Sequence, residues 1–521
     1  MLKFLKSNLF FFLLLTIVVF SLYGKSIFFD FTYHDDDVSI LGRVDFLSNI
    51  KNAPKLFLTS VFFLKEDPYY RPILNLSFMV DTVFCKGVPY LYHFINIVIF
   101  LFAIFFMYVF LVELKLNETI IKFLCLIIAV HPIFSSTVVW IPSRNDTLLA
   151  VFIFLSFVFF IKYLKNKSIK HQINYVLFFI FALFTKETSV FVPFLYVLLM
   201  ACFNYRLNKK ETIVNILIFI SIFIIYFYFR KISVFALSFE QYLYNLNIYI
   251  KNIFNGIMLY VSIFLCPDYI PLVLNNIKIN LKDIFIFTIS ISSLIYILYK
   301  NFIDKKIIIF GLFWFVLFLF PTFLLKQYVY FNHRLIVPIV GIIIILTAFI
   351  DNIIKNKKLT KKFLIILFCF LFVVFYFISF KHENNYKNKY IYWNRAYVDS
   401  PSYHVTLYCL SRLYFEKGDF EVAKKILYDI LNINKVNNYI SDLALIYYYE
   451  GNMDKAEELY NKSIEYGINK AQCYRNLSTI YLKRDNNLNK AIEYAKLAVQ
   501  EDSYDDGYKQ YLNTLENKKW Q

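Results

Sequence analysis

The sequence predicts an all-α protein: a polytopic membrane helix bundle of about 11 spans, followed by a helical-repeat domain. Three observations predict it. Long runs of Phe, Ile, Leu and Val fill residues 9–380 and then stop. Short lysine-rich loops separate those runs. From residue 381 onward the chain is polar and charge-rich, and a short pattern recurs at a nearly constant spacing.

The composition fits that division. Of 521 residues, 59% are hydrophobic and only 18% charged, where ordinary soluble domains are about half apolar and about a quarter charged. A net charge of +18 would point to nucleic acid in a soluble chain. Here the lysines cluster between apolar runs, as they do in cytoplasmic loops, so no nucleic-acid partner is expected. The seven cysteines include no CxxC pair, which argues against a disulfide framework or a zinc site. The 62 phenylalanines and 43 tyrosines read as compositional bias rather than as sugar-stacking platforms.

The first span is residues 9–28; it follows Lys3 and Lys6 and carries no small-residue cleavage site, so it reads as uncleaved with its N-terminus inside. Further spans are expected near 92–113, 119–138, 147–163, 172–184, 188–203, 212–229, 284–299, 307–325, 335–350 and 363–380. The lysine loops at 162–171, 204–211, 301–306 and 355–362 should face the cytoplasm. That holds only if the ambiguous stretch 253–272, broken by CPDYIP, does not cross but dips into or lies along the outer face. The count puts the loop 29–91, the turn 131–146, the TKET corner at 185–188 and the segment 326–334 on the outer side, together with the C-terminal domain. Most of the unusual polar residues then share one face: Asp35, Asp36, Arg71, His93, His131, Arg144, Asp146, Lys186, Glu187, His333 and Arg334. Ionisable residues at a membrane edge are functional candidates by default.

The tail repeats. Segments 414–427, 447–460 and 481–494 align, with Gly418, Gly451 and Asn486 at one position and Ala423, Ala456 and Ala491 at another. The alanine offsets are 33 and 35, close to the tetratricopeptide period of about 34. A small residue there lets two antiparallel helices approach. The layout is therefore a membrane domain at 1–380, a connector at 381–402 and about three repeats at 403–521. A protein or peptide partner for the repeats is expected.

Several pieces, in order, carry a resemblance: FTYHDDDVSI, YYRPILNLSF, YHFINIVIF, HPIFSSTVVWIPSRNDTLL, FTKETSVFVP, FPTFL and HRLIVPIVG, then the YWNRAYVDS segment and the repeats. The chain resembles bacterial TMTC-like (transmembrane and tetratricopeptide repeat) proteins of the GT-C glycosyltransferase class. The resemblance implies a helical bundle with its active site beneath the first long outer loop. It implies transfer of a sugar from a polyprenyl-phosphate carrier to a hydroxyl, such as Ser or Thr of an envelope protein. It favours Asp35 and Asp36 as the acidic pair. Ser136 stands where many relatives carry Glu or Gln, and Ile336 where they often carry Tyr.

The chemistry can be argued from the residues as well. A hydroxyl needs a positioned base, and a carboxylate at the membrane edge serves. A phosphate leaving group needs cations. Arg144 and Arg334 sit at outer span ends, with Arg71 and Lys186 as second choices. Asp35 and Asp36 act as base or hold a divalent cation such as Mg or Mn; the competing reading is a helix cap for an amphipathic segment at 45–58. If HDDD is extended, Asp35 and Asp37 point one way and Asp36 the other. Glu187 with Lys186 either closes a turn or binds lipid phosphate or acceptor. His131 and His333 are satisfied interfacial groups or substrate hydrogen-bonders. Two rivals stand beside the transferase: a non-enzymatic repeat scaffold for envelope assembly, which the Ser136 departure favours, and a glycan ligase or polymerase. A bacterial inner membrane is the expected location, with a cytoplasmic N-terminus and extracytoplasmic repeats.

Overall fold

The structure, a computed structural model, describes residues 8–63, 67–234, 246–275, 279–300, 302–323, 330–356, 360–434, 439–503 and 505–519. Residues 324–329, and the lysine-loop positions 301 and 357–359, lie outside that set. Among the described residues the fold is all-helical; an isolated bridge between Leu274 and Tyr330 is the only β pairing. The chain divides into two compact bodies, one of Met1–Gly42 with Ile50–Lys389 and one of Arg43–Asn49 with Tyr390–Gln521.

The first body carries seven helices long and apolar enough to cross a membrane, or eight if the bent pair Glu118–Val130 and Pro132–Val139 is one span. They mark the chain as a membrane protein, because a helix is the one open element that satisfies all of its own backbone groups in lipid. Four shorter apolar helices accompany them: Pro72–Cys85, Ile169–Thr185, Glu187–Cys202 and Ile250–Leu265. The sequence reading counted two of these, near 172–184 and 188–203, as full spans; as helices they fall short of the usual spanning length.

Local chemistry sets the helix ends. Asn117 caps its helix by accepting from the Thr119 and Ile120 amides, and Asn208 with Glu211 and Asn280 with Asp283 form reciprocal capping boxes. The 55° bend at His131–Pro132 has a plain cause. Pro132 has no amide to donate, and the His131 ring instead takes the Ile133 N–H at 3.3 Å. Gly311 and Gly341 let two helices touch: a Cβ on either would strike the other's carbonyl oxygen. Nearby, the buried Trp314 donates to the Val337 carbonyl at 2.8 Å and packs between Phe110 and Phe157.

The loop after the first span is built, not slack. It holds the short turns Asp36–Ser39, Leu41–Arg43 and Val44–Leu47, the 3-10 stretch Ile50–Leu58 and the helix Pro72–Cys85. The expected amphipathic helix over 45–58 is thus two pieces; Pro54 lies inside the second, and a 3-10 turn tolerates it better than a continuous α-helix would.

The second body is a series of helix pairs: His404–Glu416 with Phe420–Asn434, Ile440–Tyr449 with Met453–Glu465, and Lys470–Lys483 with Leu488–Glu501, then Asp506–Lys519. Each pair turns on a left-handed residue, Gly418, Gly451 or Asn486, at φ of 79°, 84° and 48°. Ala423, Ala456 and Ala491 are fully buried at the helix contacts. Residues 43–49 of the first loop belong to this body, where Arg43 pairs with Asp502 at 3.2 Å.

Candidate functional site

Four segments far apart in sequence meet in the first body. Asp146, in the first turn of Arg144–Asn166, receives both of its charge partners from elsewhere. Lys186 Nζ donates to its two oxygens at 2.7 Å each. His333 Nε2 lies 3.7 Å from Oδ2. Next along, Glu187 accepts from Arg71 Nε and Nη2 at 3.2 and 3.1 Å and from the Tyr70 amide at 3.2 Å, and Arg230 stands 3.9 Å away. Thus the loop before Pro72, the turn at 140–146, the 185–188 corner and the 330–335 segment converge.

Asp35 faces this group. Its backbone is left-handed, at φ 69°, and although it holds the N-cap position of Asp36–Ser39 its carboxylate makes no capping hydrogen bond. Burial pushes its pKa up to about 6, while Arg71 and Arg334 pull against the rise. Burial lowers Lys186 to about 8, Asp146 opposes that, and Arg71 and Arg334 reinforce it. Burial would lift the Glu187 carboxyl, but Arg71 and Arg230 outweigh it and hold the group below its ordinary value. His333 is driven well below the usual histidine range by burial, then by Lys186 and Arg334, so its ring is neutral; its Nδ1 has no hydrogen-bond partner.

An aromatic wall borders the group. The Trp140 indole stacks between His34 and Phe331, with centroids 4.9 and 5.9 Å away, and donates to the His34 carbonyl at 3.0 Å. His333 leans on Trp140 and Phe331 at 5.0 and 5.3 Å. The Arg334 guanidinium lies 4.8 Å over Phe331, and that of Arg71 lies 4.6 Å over Tyr69.

Other expected site residues are placed elsewhere. Arg144 is fully buried and its donors are committed: Nη1 pairs with Asp81 at 2.5 Å, Nε donates to Asn96 at 2.6 Å and Nη2 to the Tyr92 carbonyl at 2.9 Å. A guanidinium so enclosed ties its own helix to Pro72–Cys85 and Pro89–Glu113 through Asp81, Asn96 and Tyr92. His131 is likewise satisfied, bonding the Phe264 carbonyl at 2.9 Å and the Ile133 amide. Asp36 is buried and accepts from the Thr32 amide and hydroxyl at 2.9 and 3.0 Å. Burial lifts it to about 8, and Thr32 only partly offsets this. The acidic run is therefore a turn, not an extended strand. Among the described residues no group of three or more His, Cys, Asp or Glu could hold a metal ion. Thr32 engages Oδ2 of Asp36, and Oδ1 has no hydrogen-bond partner.

Sequence reasoning gathered Asp146 onto the outer face but gave it no role, and it did not single out Arg230 or Trp140 as site residues. The signal for Asp146 was present: it lies two residues beyond Arg144 at a helix start that also carries the buried Arg.

The arrangement sets one half-buried carboxylate beside two guanidinium groups and an ammonium, against a wall of rings. It can hold an anionic group and accept a proton next to it. No family model matches the chain, and no curated protein or solved structure matches it either.

Proposed function

We propose that the protein is an integral membrane glycosyltransferase of the GT-C kind, moving a sugar from a polyprenyl-phosphate carrier to a hydroxyl acceptor at the extracytoplasmic face. The observation that carries this reading is that Asp35 and Lys186 both lie within electrostatic reach of Arg71 and Arg334. These residues come from three segments that the lysine-loop count assigns to one membrane side. A topology of about 11 crossings belongs to the same reading, with shorter apolar helices such as Ile169–Thr185 and Glu187–Cys202 crossing where the bilayer thins locally around them.

In this mechanism the acceptor oxygen attacks the anomeric carbon and its proton passes to Asp35. The bond from that carbon to the phosphate oxygen breaks, and its electron pair leaves with the phosphate. Arg334 and Arg71 stabilise the charge that develops there, which is where fixed cations act most strongly. Lys186, held by Asp146, adds a third positive group. Neutral His333 offers Nδ1 to a substrate hydroxyl. Glu187 keeps Arg71 in place rather than touching substrate. The second body, read as tetratricopeptide repeats, docks the protein or peptide that carries the acceptor.

The test is to express the wild type and Asp35→Asn in a bacterial host that lacks the endogenous protein and to compare glycans on envelope proteins by mass spectrometry. Loss of a glycan in the variant, at equal protein level, is expected. Identical profiles would overturn the transferase and leave the repeat scaffold standing.

A further inference from the structure

The geometry points to Lys25 and Glu383 as positioning residues for Asp35: a clasp between the outgoing ends of the first and last spans that holds the segment leading to the carboxylate. This rests on the reading of Asp35 as the base.

Glu383 is wholly buried, and Lys25 Nζ stands 3.0 Å from its Oε1. No other donor reaches either oxygen among the described residues. Lys25 also donates to the Phe380 carbonyl at 2.9 Å and lies 3.4 Å over the Phe380 ring, so its charge sits at the C-terminal end of the helix Lys361–His382. The lacing continues outward. The Asp30 amide donates to the Lys387 carbonyl at 3.0 Å, and the Lys389 ammonium lies 4.3 Å over the Tyr33 ring. Residues 25–33 are therefore tied at successive points to residues 380–389.

The anchor side is itself fixed. The Ser379 hydroxyl donates to the Val130 carbonyl at 2.6 Å, and the His382 ring bonds the Ile270 carbonyl at 3.1 Å. The segment leading to Asp35 needs such support. Tyr33 and Asp35 both hold left-handed backbone, at φ 57° and 69°, which non-glycine residues keep only where their surroundings impose it. Lys25→Met leaves the wholly buried Glu383 carboxyl without its partner, whereas Glu383→Gln leaves a Lys25 that keeps 29% of its surface in water.

The consequence reaches Asp35 through hydration. The groups facing it are Arg71 and Arg334, with Asp36, Asp37 and His34 beside it in sequence. A loosened segment admits water, removes part of the burial that raises Asp35 and brings its pKa down toward the ordinary carboxylate value.

The experiment uses the full chain in lipid nanodiscs, with Glu383→Gln, Lys25→Met and the charge-swapped double variant Lys25→Glu/Glu383→Lys. Hydrogen–deuterium exchange is followed by mass spectrometry, and folding is checked by thermal melting. The expected result is an exchange rate in residues 29–40 raised at least tenfold in each single variant, with residues 144–166 unchanged, and a return toward wild type in the swap. Unchanged exchange at 29–40, or a rise spread across the whole first body, would overturn the clasp. Where transfer is measurable, the acid limb of its pH profile moves to lower pH in Glu383→Gln, which a merely stabilising pair would not cause. Local loosening together with a fully active Asp35→Asn would keep the clasp and dismiss Asp35 as the base.

Discussion

Arg144 in the first body and Arg484 in the second make an instructive pair. Arg484 touches three carboxylates, pairing with Asp454, Glu457 and Asp485 at 2.7 Å each. Arg144 pairs with one, Asp81. Counting partners would rank Arg484 first. Burial reverses the order: the Arg144 side chain is wholly enclosed, whereas Arg484 keeps 28% of its surface in water and its partner Asp454 keeps 90%. A charge removed from water depends entirely on its partner, and a hydrated one does not. Arg334 lies between these extremes, half-buried at the site with its guanidinium over the Phe331 ring.

The largest effect should therefore follow Arg144→Ala. It strands the Asp81 carboxylate and should cost roughly 3–5 kcal/mol, read as loss of monodisperse protein in detergent and a lower melting temperature. The control sharpens the comparison: Arg144→Met/Asp81→Leu removes both charges and should recover most of that stability. If Arg144→Ala instead folds normally and loses only donor binding, Arg144 belongs in the site after all.

Arg334→Gln should leave folding intact and lower transfer by about 10²–10³-fold, the usual cost of removing one donor aimed at developing charge. It should also move the acid limb of the pH profile upward, because one of the two cations that pull Asp35 down is gone. The wild-type profile itself should be bell-shaped. In the proposed reaction Asp35 accepts the proton only when ionised, so transfer should rise about tenfold per pH unit up to about 6. In the same reading Lys186 holds phosphate only when protonated, so transfer should fall again above about 8. A flat profile between pH 5 and 9 would remove both assignments.

What could be read in advance divides along the same line. The helical repeats were legible because a turn needing left-handed backbone and a contact needing a small side chain each impose a residue type, and Gly418, Gly451, Ala423 and Ala456 repeat in step. The candidate site was legible as a set of residue types gathered by sidedness, since Asp35, Arg71, Lys186 and Arg334 are too polar for lipid. The partners were not legible. Nothing in the string SRND says that its arginine turns inward to Asp81 and Asn96 while its aspartate turns to Lys186. That choice depends on which helices cross there, and those contacts span 40 or more residues in sequence. Helix length was less legible for a related reason: hydropathy marks an apolar stretch, but where each rod starts or stops depends on residues such as Pro132, Thr185 and Pro338.

The smallest effect closes the comparison. Arg484→Ala removes three ion pairs at once and should still cost only about 1 kcal/mol, because each is screened by solvent and the freed carboxylates rehydrate. Glu457 is the exception to watch. It also accepts from the Tyr481 hydroxyl at 2.6 Å and keeps 24% of its surface, so it loses a cation without becoming fully solvated. Adding salt should distinguish the two bodies directly. At high ionic strength the gap between wild type and Arg484→Ala should vanish, whereas the Arg144→Ala defect should persist, since ions do not reach a buried pair. A salt-resistant loss at Arg484 would mean that the second body uses this guanidinium as the first uses Arg144, and burial would no longer be what separates them.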